Sequence, residues 1–318
     1  MTKNQTRPRL LLTCAGGSAT IFFAKELRKV YDIFLADATD SIAAKMLKLP
    51  FARLPFGDHI DYVKALDRVV RSHRIDIIAP GADEELIPVR TYCDANGSVP
   101  FPILPTEAFI NVCLDKKRLM EALAREGIST LLPFQRMTGV RYPAIAKPIR
   151  GRGSRQVHQL ASPSQLRGYL ALYGKVFNDV LVQPYITGDE YTVSVIVNSC
   201  NQLIGIVPKR VLVKRGITRL AVTEHQPDIE RICHRIVEVF DPRGPFNVQL
   251  KLDAGRIYIF EINPRLSTTS VLTSKAFAHE IDLVYKYRNQ EAVNFQRRMQ
   301  SGWHLYRYDE NVLYRKTP

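Results

Sequence analysis

Paired cysteines, long apolar runs and internal repeats are all missing from this sequence of 318 residues. Its five cysteines are an odd number, widely spaced and without a CxxC pair, which argues against a disulfide framework or a zinc site and favours a reducing cytoplasm. An uncharged stretch at residues 10–24 imitates a secretory signal, but Gly16 and Gly17 interrupt it and it is too short to span a bilayer. We therefore expect a cytoplasmic protein with no membrane partner.

Acidic residues are scarce relative to basic ones: 31 Asp and Glu accompany 45 Lys and Arg, giving a net charge of +14. This balance implies anionic partners, and nucleic acid, a membrane surface and phosphorylated small molecules are the alternatives. A basic nucleic-acid-binding protein would carry a stripe of cations with stacking aromatics, whereas several cations here lie around glycines, so we expect no nucleic acid partner. The length corresponds to about two globular domains.

Apolar runs of strand type alternate with segments of helical periodicity in the first third of the chain. This alternation predicts a parallel sheet covered by helices. The predicted elements are strands at residues 10–13, 33–36, 75–79 and 103–104, a helix at residues 19–30 capped by Ser18, and a helix capped by Asp58.

The turn from Ala15 to Ser18 opens a helix after the first predicted strand, and Asp37 lies about twenty residues further on. This arrangement partly matches a dinucleotide-binding fingerprint, but GxGxxG is not satisfied. A tight turn of small residues is therefore the preferred interpretation, and an NAD-dependent oxidoreductase is the minor alternative.

Three prolines near residue 105 mark a change of pattern, and we place a domain boundary there. The pattern beyond it mixes short helices with strand-like stretches. The predicted elements are helices at residues 106–113 and 228–240, a helix capped by Asp115, and strands at residues 142–148, 179–183 and 191–198.

The segment at residues 246–265 reads FNVQLKLDAGRIYIFEINPR and is the most informative part of the chain. Two strand-like runs flank residues 254–256, which suit a three-residue hairpin loop. Folding about Gly255 sets Gln249 opposite Glu261 and residue 247 opposite Asn263, so these three side chains project from one face. One carboxylate and two amides suit Mg²⁺ bridging protein and nucleotide, with Arg265 able to face a phosphate; the alternative is a solvated polar hairpin face.

Two further segments have compositions that suit a nucleotide. KPIRGRGSR at residues 147–155 carries four cations and no acid around two glycines, which suggests a flap over a polyphosphate, or else a solvated turn; it is not a Walker A loop. LVQPYITGDEYTV at residues 181–193 combines an apolar strand, a hinge and an acidic turn. This order suits a purine contact followed by a ribose carboxylate, or else an ordinary hairpin.

Together, in this order and spacing, the three segments resemble the ATP-grasp superfamily, most closely its carbamoyl-phosphate-synthase-like branch, and EINPR after FNVQ is the specific part. The resemblance implies an α/β protein with a Rossmann-like pre-ATP-grasp domain at residues 1–105, including PGADEE at residues 80–85. An ATP-grasp fold of two α+β subdomains follows at residues 106–318. Its lid is expected at about residues 130–185 and its metal and phosphate subdomain at about residues 186–318.

The resemblance also implies ATP and Mg²⁺ as cofactors, with Mn²⁺ as an alternative ion, and a role for each matching residue. The implied roles are phosphate contacts for Lys116 and Lys147, the flap for Gly151, Gly153 and Ser154, the adenine hinge for Gln183, Pro184, Tyr185 and Ile186, the ribose acid for Glu190, metal ligands for Gln249, Glu261 and Asn263, and catalysis for Arg265 with Lys147.

The implied reaction is ADP-forming ligation, in which ATP converts a carboxylate into an acyl phosphate that an amine then attacks. A carboxylate or carbamate kinase that releases the acyl phosphate is the alternative, and a homodimer is a further family expectation. Two features depart from the family pattern: Gln249 stands where many members have an acid, and LSTTS follows Arg265 where a glycine-bearing loop is common. Arg210, in a segment with five cations, is expected to add an anion contact, or else to lie on a solvated strand pair.

Overall fold

The computed structural model describes residues 7–151, 153, 155–290, 292, 294–309 and 311, with the backbone alone at Ala43. Ser154, a residue of the predicted flap, lies outside these described residues. In the described part of the chain, every helix is too short or too polar to span a bilayer.

A five-stranded parallel sheet forms the first part of the molecule, with strand order β3-β2-β1-β4-β5. Successive residues of β1 enter different cores, because Leu10 packs into one apolar cluster and Leu11 into another on the opposite face. The sheet is thus buried on both faces, as the sequence predicts. Its elements are β1 (Arg9–Leu12), α1 (Ser18–Leu27), β2 (Asp32–Asp37), α2 (Ile42–Leu47), β3 (Phe51–Arg53), α3 (Tyr62–His73), β4 (Ile77–Ala79), α4 (Leu86–Ala95) and β5 (Phe101–Pro102).

Both predicted N-caps of this region are wrong. Helix α1 has Gly17 as its N-cap and Ser18 as its first residue, because the tight turn closes with the Gly17 N–H donating to the Cys14 carbonyl. Helix α3 begins at Tyr62 after Asp61, because the chain from Asp58 first makes a further turn. Elements α2, β3 and α4 were not predicted; α2 and β3 are too short to show a period.

The second part contains two antiparallel sheets. A small sheet has the order β7-β6-β8, and a large sheet has the order β13-β12-β9-β10-β11-β14. The predicted helix cap at Asp115 is confirmed, since its carboxylate accepts from the backbone of the next turn. The elements are α5 (Glu107–Leu114), α6 (Lys116–Arg125), β6 (Ala144–Pro148), β7 (His158–Leu160), α7 (Pro163–Leu172), β8 (Val180–Pro184), β9 (Asp189–Val197), β10 (Leu203–Arg215), β11 (Ile217–Thr223), α8 (Pro227–Phe240), β12 (Phe246–Asp253), β13 (Arg256–Asn263), α9 (Ser270–Ala276), α10 (Glu280–Lys286) and β14 (His304–Tyr306).

The two parts share an apolar core. Helices α9 and α10 pack against the first sheet, so that Val271 of α9 and Val284 of α10 belong to the same buried cluster as Leu10 and Phe23. We propose the division of the chain near residue 105, because the parallel sheet ends at Pro102 and the strands of the antiparallel sheets follow.

The large sheet has one apolar and one polar face. Tyr191 and Val193 of β9 belong to a core cluster with α8, whereas Thr192 and Ser194 point the other way. Gln249 lies directly opposite Thr192 on the neighbouring strand, so it shares the polar face. The candidate site is built on this face.

The predicted hairpin register is confirmed, although its loop is not. The turn has two residues, Ala254 and Gly255, both with positive φ, instead of the predicted three. A bulge at Phe260 then shifts the pairing by one residue. The two differences cancel, so that Gln249 faces Glu261 and Asn247 faces Asn263 as predicted.

Replacing Gly188 with alanine should destabilise the fold far more than replacing Gly174. Both residues have positive φ, +87° and +58°, but a methyl group at Gly188 would collide with the backbone of β12 at Leu252, whereas at Gly174 it meets no atom within 4 Å. We expect Gly174→Ala to lower the free energy of unfolding by about 1–2 kcal/mol and Gly188→Ala by several kcal/mol. Urea denaturation measures both, and equal losses would contradict the close packing of this turn on β12.

Candidate active site

A cavity of about 320 Å³ lies between the small sheet and the large one. The small sheet contributes β6 and β8, and the large sheet contributes β9, β10, β12 and β13. The volume and the mixture of apolar walls with several cations are typical of a nucleotide site. The lining residues are Lys116, Leu131, Ile145, Lys147, Pro148, Gly151, Arg155, Val157, Gln183, Pro184, Tyr185, Ile186, Glu190, Lys214, Lys251, Phe260 and Glu261.

The predicted adenine hinge lies at the end of β8 and lines this cavity. Gln183 is buried, and its side-chain amide donates to the Leu131 carbonyl, which fixes the strand end against the preceding loop. The Tyr185 N–H donates to the Pro143 carbonyl, 3.1 Å away. Four consecutive residues therefore present a held backbone to the apolar part of the cavity.

Two buried lysines approach the cavity from different elements. Lys116, the first residue of α6, donates to the Gly151 carbonyl at 2.7 Å and has its Nζ 3.5 Å from Glu261 Oε1. Lys147 of β6 donates to the Phe260 carbonyl at 3.0 Å, with its Nζ 5.3 Å from the centre of the Phe260 ring. Their side chains converge on β13 at its bulge, which turns both Phe260 and Glu261 to the cavity.

Burial lowers the pKa of Lys147 from the ordinary lysine value to about 8, because the charged form loses its hydration. The carboxylate of Glu261 opposes this effect, and the positive charges of Lys116 and Lys214 add to it. A cation that is held in excess of the local negative charge is suited to an anionic ligand.

Glu190 and Lys214 form an ion pair of 2.5 Å at the far side of the cavity. Sequence reasoning proposed Glu190 from its place after the hinge and included Lys214 among the five cations expected to add an anion contact, but it did not identify Lys251. Both lysines line the cavity. Lys214 lies within the cation-rich segment, and its Nζ is 6.0 Å from the centre of the Phe260 ring. The pairing of β10 with β9 sets Val211 opposite Glu190, and the side chain of Lys214, three residues further along β10, reaches that carboxylate.

A second cavity, of about 100 Å³, adjoins the first, and Glu190, Lys214 and Glu261 line both. The three predicted metal ligands, Gln249, Glu261 and Asn263, all line this second cavity, together with Arg265 and Gly153. Further lining residues are Thr192, Gly216, Ile217, Thr218, Asn247, Ser267 and Thr268.

The oxygen donors fit Mg²⁺ better than a metal held by protein alone. Among the described residues no cluster of three or more His, Cys, Asp or Glu side chains could hold an ion. One carboxylate and two amide oxygens on a shared cavity are instead the sparse donor set that Mg²⁺ uses when phosphate oxygens and waters complete its coordination.

Arg265 is tied to the first part of the molecule. Its Nε donates to Asp83 Oδ1 at 2.6 Å and its Nη1 to the Leu266 carbonyl at 3.1 Å. Asp83 lies in the loop after β4. The buried Glu85 holds this loop, because its carboxyl group accepts hydrogen bonds from Thr13 Oγ1 and the Ala82 N–H. Burial raises the pKa of the Glu85 carboxyl group. The PGADEE segment therefore holds Arg265, a residue that lines the second cavity, in place.

The predicted anion contact at Arg210 needs correction. Arg210 lines neither cavity and is paired instead with Glu224, 2.8 Å away, and Asp189, 3.9 Å away. Its neighbour Lys209 points to the polar face but is fully buried, where it donates to Ser194 and Thr273. The strand twist and bulges of β10 bring Lys214, rather than Arg210, to the cavity.

A nucleotide-sized cleft between a small and a large antiparallel sheet defines an ATP-grasp architecture. The family model described as ATP-grasp in the biosynthetic pathway with Ter operon matches residues 176–307. The structure of N5-carboxyaminoimidazole synthetase from Staphylococcus aureus complexed with ADP superposes with a TM-score of 0.74 at 14% identity, covering 94% of this chain and 82% of that one. The resemblance to the ATP-grasp superfamily that the motifs indicate is confirmed, with the family model matching residues 176–307.

Two curated relatives share parts of the sequence. A D-alanine–D-alanine ligase of Petrotoga mobilis is 28% identical over 154 residues, which are 43% of this chain and 52% of the relative. The arginine-specific large chain of carbamoyl phosphate synthase from Lactiplantibacillus plantarum is 38% identical over 80 residues, 24% of this chain and 8% of the relative. The chain thus spans about half the length of the first relative and a small part of the second.

Nucleotide affinity should fall as the pH rises through about 8, since Lys147 loses the charge that attracts phosphate. Between pH 7 and pH 9 we expect the dissociation constant of a non-hydrolysable ATP analogue to rise about tenfold for the wild type. In Lys147→Arg the guanidinium stays charged over this range, so the pH dependence should flatten. Titration calorimetry measures both proteins, and parallel curves would contradict the assignment of this titration to Lys147.

Proposed function

We propose that this protein is an ADP-forming, ATP-dependent ligase that activates a small polar carboxylate as an acyl phosphate and transfers the acyl group to an amine. The junction of the two cavities carries this proposal, because Glu190, Lys214 and Glu261 line both. A triphosphate that occupies the larger cavity would direct its terminal phosphate toward the smaller one. In-line transfer requires the phosphoryl acceptor to lie there.

ATP would bind with its adenine against the end of β8. The Tyr185 N–H is engaged by Pro143, and Pro184 has no N–H, so the Pro184 carbonyl and the Ile186 N–H are the hinge groups we assign to the purine. Glu190 suits the ribose hydroxyls, and Lys116 and Lys147 suit the phosphates, with Gly151 and Gly153 in the flap above them.

Gln249, Glu261 and Asn263 would hold Mg²⁺, or Mn²⁺ in its place, at the junction of the cavities. When bound, the ion would offset phosphate charge during transfer. Lys116 lies 3.5 Å from Glu261 and can balance that carboxylate before the ion binds.

The reaction consists of two displacements. A carboxylate oxygen of the substrate attacks the terminal phosphorus of ATP, the bond to the bridging oxygen breaks, and ADP leaves. The amine nitrogen then attacks the acyl carbon, the bond to the phosphate oxygen breaks, and phosphate leaves as the nitrogen loses a proton. Arg265, held by Asp83 at the second cavity, is positioned to offset charge on the transferred phosphoryl group.

The lining of the second cavity limits the carboxylate. Residues with hydroxyl or amide side chains line it, namely Thr192, Thr218, Ser267, Thr268, Asn247, Gln249 and Asn263. A polar lining of this kind favours a small carboxylate that carries hydroxyl or amino groups over an aliphatic or aromatic one, because an apolar substituent would displace water without replacing its hydrogen bonds. The similarity to a D-alanine–D-alanine ligase over 154 residues supports an amino acid as one member of this class.

The strand order of the parallel sheet supports a Rossmann-like domain of the type that precedes an ATP-grasp fold, and we propose this for residues 1–105. The homodimer and the cytoplasmic location stay predictions. A kinase that releases the acyl phosphate remains the alternative function, and it differs from a ligase only in the fate of that intermediate.

Release of ADP should depend on a carboxylate, and formation of a product should depend on an amine as well. We expect this when purified protein is incubated with ATP, Mg²⁺ and pools of amino acids and small hydroxy acids, with ADP measured enzymatically and products by mass spectrometry. Turnover in Glu261→Gln should fall at least about a hundredfold, because the single carboxylate of the proposed metal site is lost.

Arg210→Gln is the matched control for this experiment, since Arg210 is a cation of the same sheet that lines neither cavity. Its turnover should stay within about twofold, because a half-exposed ion pair contributes little. Full turnover in Glu261→Gln would refute the proposed metal site. Trapping of an acyl phosphate with hydroxylamine, without an amine-dependent product, would favour the kinase.

A further inference from the structure

We propose that Arg307 is a positioning residue that holds together two walls of the carboxylate cavity. This inference rests on the proposed function, because it gives the second cavity the role of carboxylate site. Arg307 lies just after β14, the edge strand of the large sheet, which follows the hairpin strands β12 and β13 in sequence. It contacts the cavity only through the two residues that it holds.

The guanidinium of Arg307 bridges two separate elements. Its Nη1 donates to the Thr218 carbonyl at 2.7 Å and its Nη2 to the Thr268 carbonyl at 2.9 Å. Thr218 belongs to β11, whereas Thr268 lies in the loop between β13 and α9. Both threonines line the second cavity, so one side chain sets the distance between two of its walls.

The side chain of Arg307 points inward from an otherwise exposed segment. Its neighbours Tyr306 and Tyr308 are 72% and 70% exposed, whereas Arg307 is half-buried. The Arg307 N–H also donates to the Arg219 carbonyl at 2.8 Å, which continues the pairing of β14 with β11. The backbone therefore fixes the origin of the side chain before the guanidinium reaches the carbonyls.

Arginine suits this position better than lysine does. Its planar fork presents two nitrogens at once to acceptors on different elements, whereas a lysine ammonium is a point charge on a flexible stem. Burial and the nearby Arg219 lower the pKa of Arg307, but a guanidinium remains protonated at neutral pH.

The loop on the far side of the clamp leads directly from Arg265 to α9. Ser267 and Thr269 hydrogen-bond to each other and to the backbone of this loop, but these bonds are internal to it. Arg307 is the residue that connects the Thr268 carbonyl to a strand of the large sheet. Loss of the Arg307 side chain should therefore loosen the loop at Thr268, which lines the second cavity, while leaving the larger cavity intact.

The test compares Arg307→Lys and Arg307→Ala with the wild type, using the carboxylate that supports the greatest ADP release in the pool assay. We expect the KM for the carboxylate to rise about ten- to a hundredfold in Arg307→Ala and by a smaller factor in Arg307→Lys. The dissociation constant of the ATP analogue should stay within about twofold. Guanidinium chloride at low millimolar concentration should partly restore the carboxylate KM of Arg307→Ala and should leave the KM of the wild type unchanged.

Arg219→Ala is the control variant. Arg219 lies beside Arg307 and pairs with Asp309, which is 88% exposed, so its removal changes the charge of the same edge without touching either threonine carbonyl. Its kinetic constants should match those of the wild type. An unchanged carboxylate KM in Arg307→Ala, or an equal rise in Arg219→Ala, would overturn the proposal.

Hydrogen exchange tests the clamp without any substrate. We expect faster backbone exchange at residues 216–220 and 266–270 in Arg307→Ala than in the wild type and Arg219→Ala, with exchange at residues 181–186 unchanged. If the wild type releases no ADP with any carboxylate, the proposed ligase function is wrong, and this exchange pattern alone then decides whether Arg307 joins the two walls. Equal exchange in all three proteins would show that it does not.

Discussion

The burial of two lysines at one point is the constraint on which this site depends. Lys116 and Lys147 are less than a tenth exposed, and both reach the bulge of β13. Burying an ammonium group is costly unless negative charge lies near it, and Glu261 is the carboxylate within ion-pair distance of Lys116. A ligand with several negative charges resolves this imbalance. We therefore propose that the cleft receives phosphate. The pKa of Lys147 is lowered mainly by its burial, and the neighbouring charges of Lys116 and Lys214 add to this effect.

The strands that form the core also form the site. In β9, Tyr191 and Val193 pack into an apolar cluster, while Thr192 and Ser194 belong to a polar face. That face extends beneath α9, where the fully buried Lys209 donates to Ser194 and Thr273. The shared core and the Arg265–Asp83 pair join it to the parallel sheet, so the site belongs to the whole molecule rather than to one domain.

Local pattern predicted the parallel sheet and the register of the β12–β13 hairpin, although it missed the helices α4 and α7. It failed where a small change in backbone geometry decides the outcome. The Gln249–Glu261 register was right because a shorter turn and a bulge compensate each other. The caps at Ser18 and Asp58 were wrong because a turn preceding each helix moved its start. Arg210 and Lys214 lie in one cation-rich segment, and only the bulges of β10 determine which of them lines the cavity.

By itself the sequence determined the residue types at the site and which of them share a strand face, because the two-residue period of a strand is a local property. It also predicted the resemblance to the ATP-grasp superfamily, through the order and spacing of its motifs. The tertiary structure alone decided which distant charges meet. The Arg265–Asp83 pair joins residues 182 positions apart, and Arg307 reaches carbonyls 89 and 39 positions away. Such contacts depend on how sheets and loops pack, and no local periodicity encodes that packing.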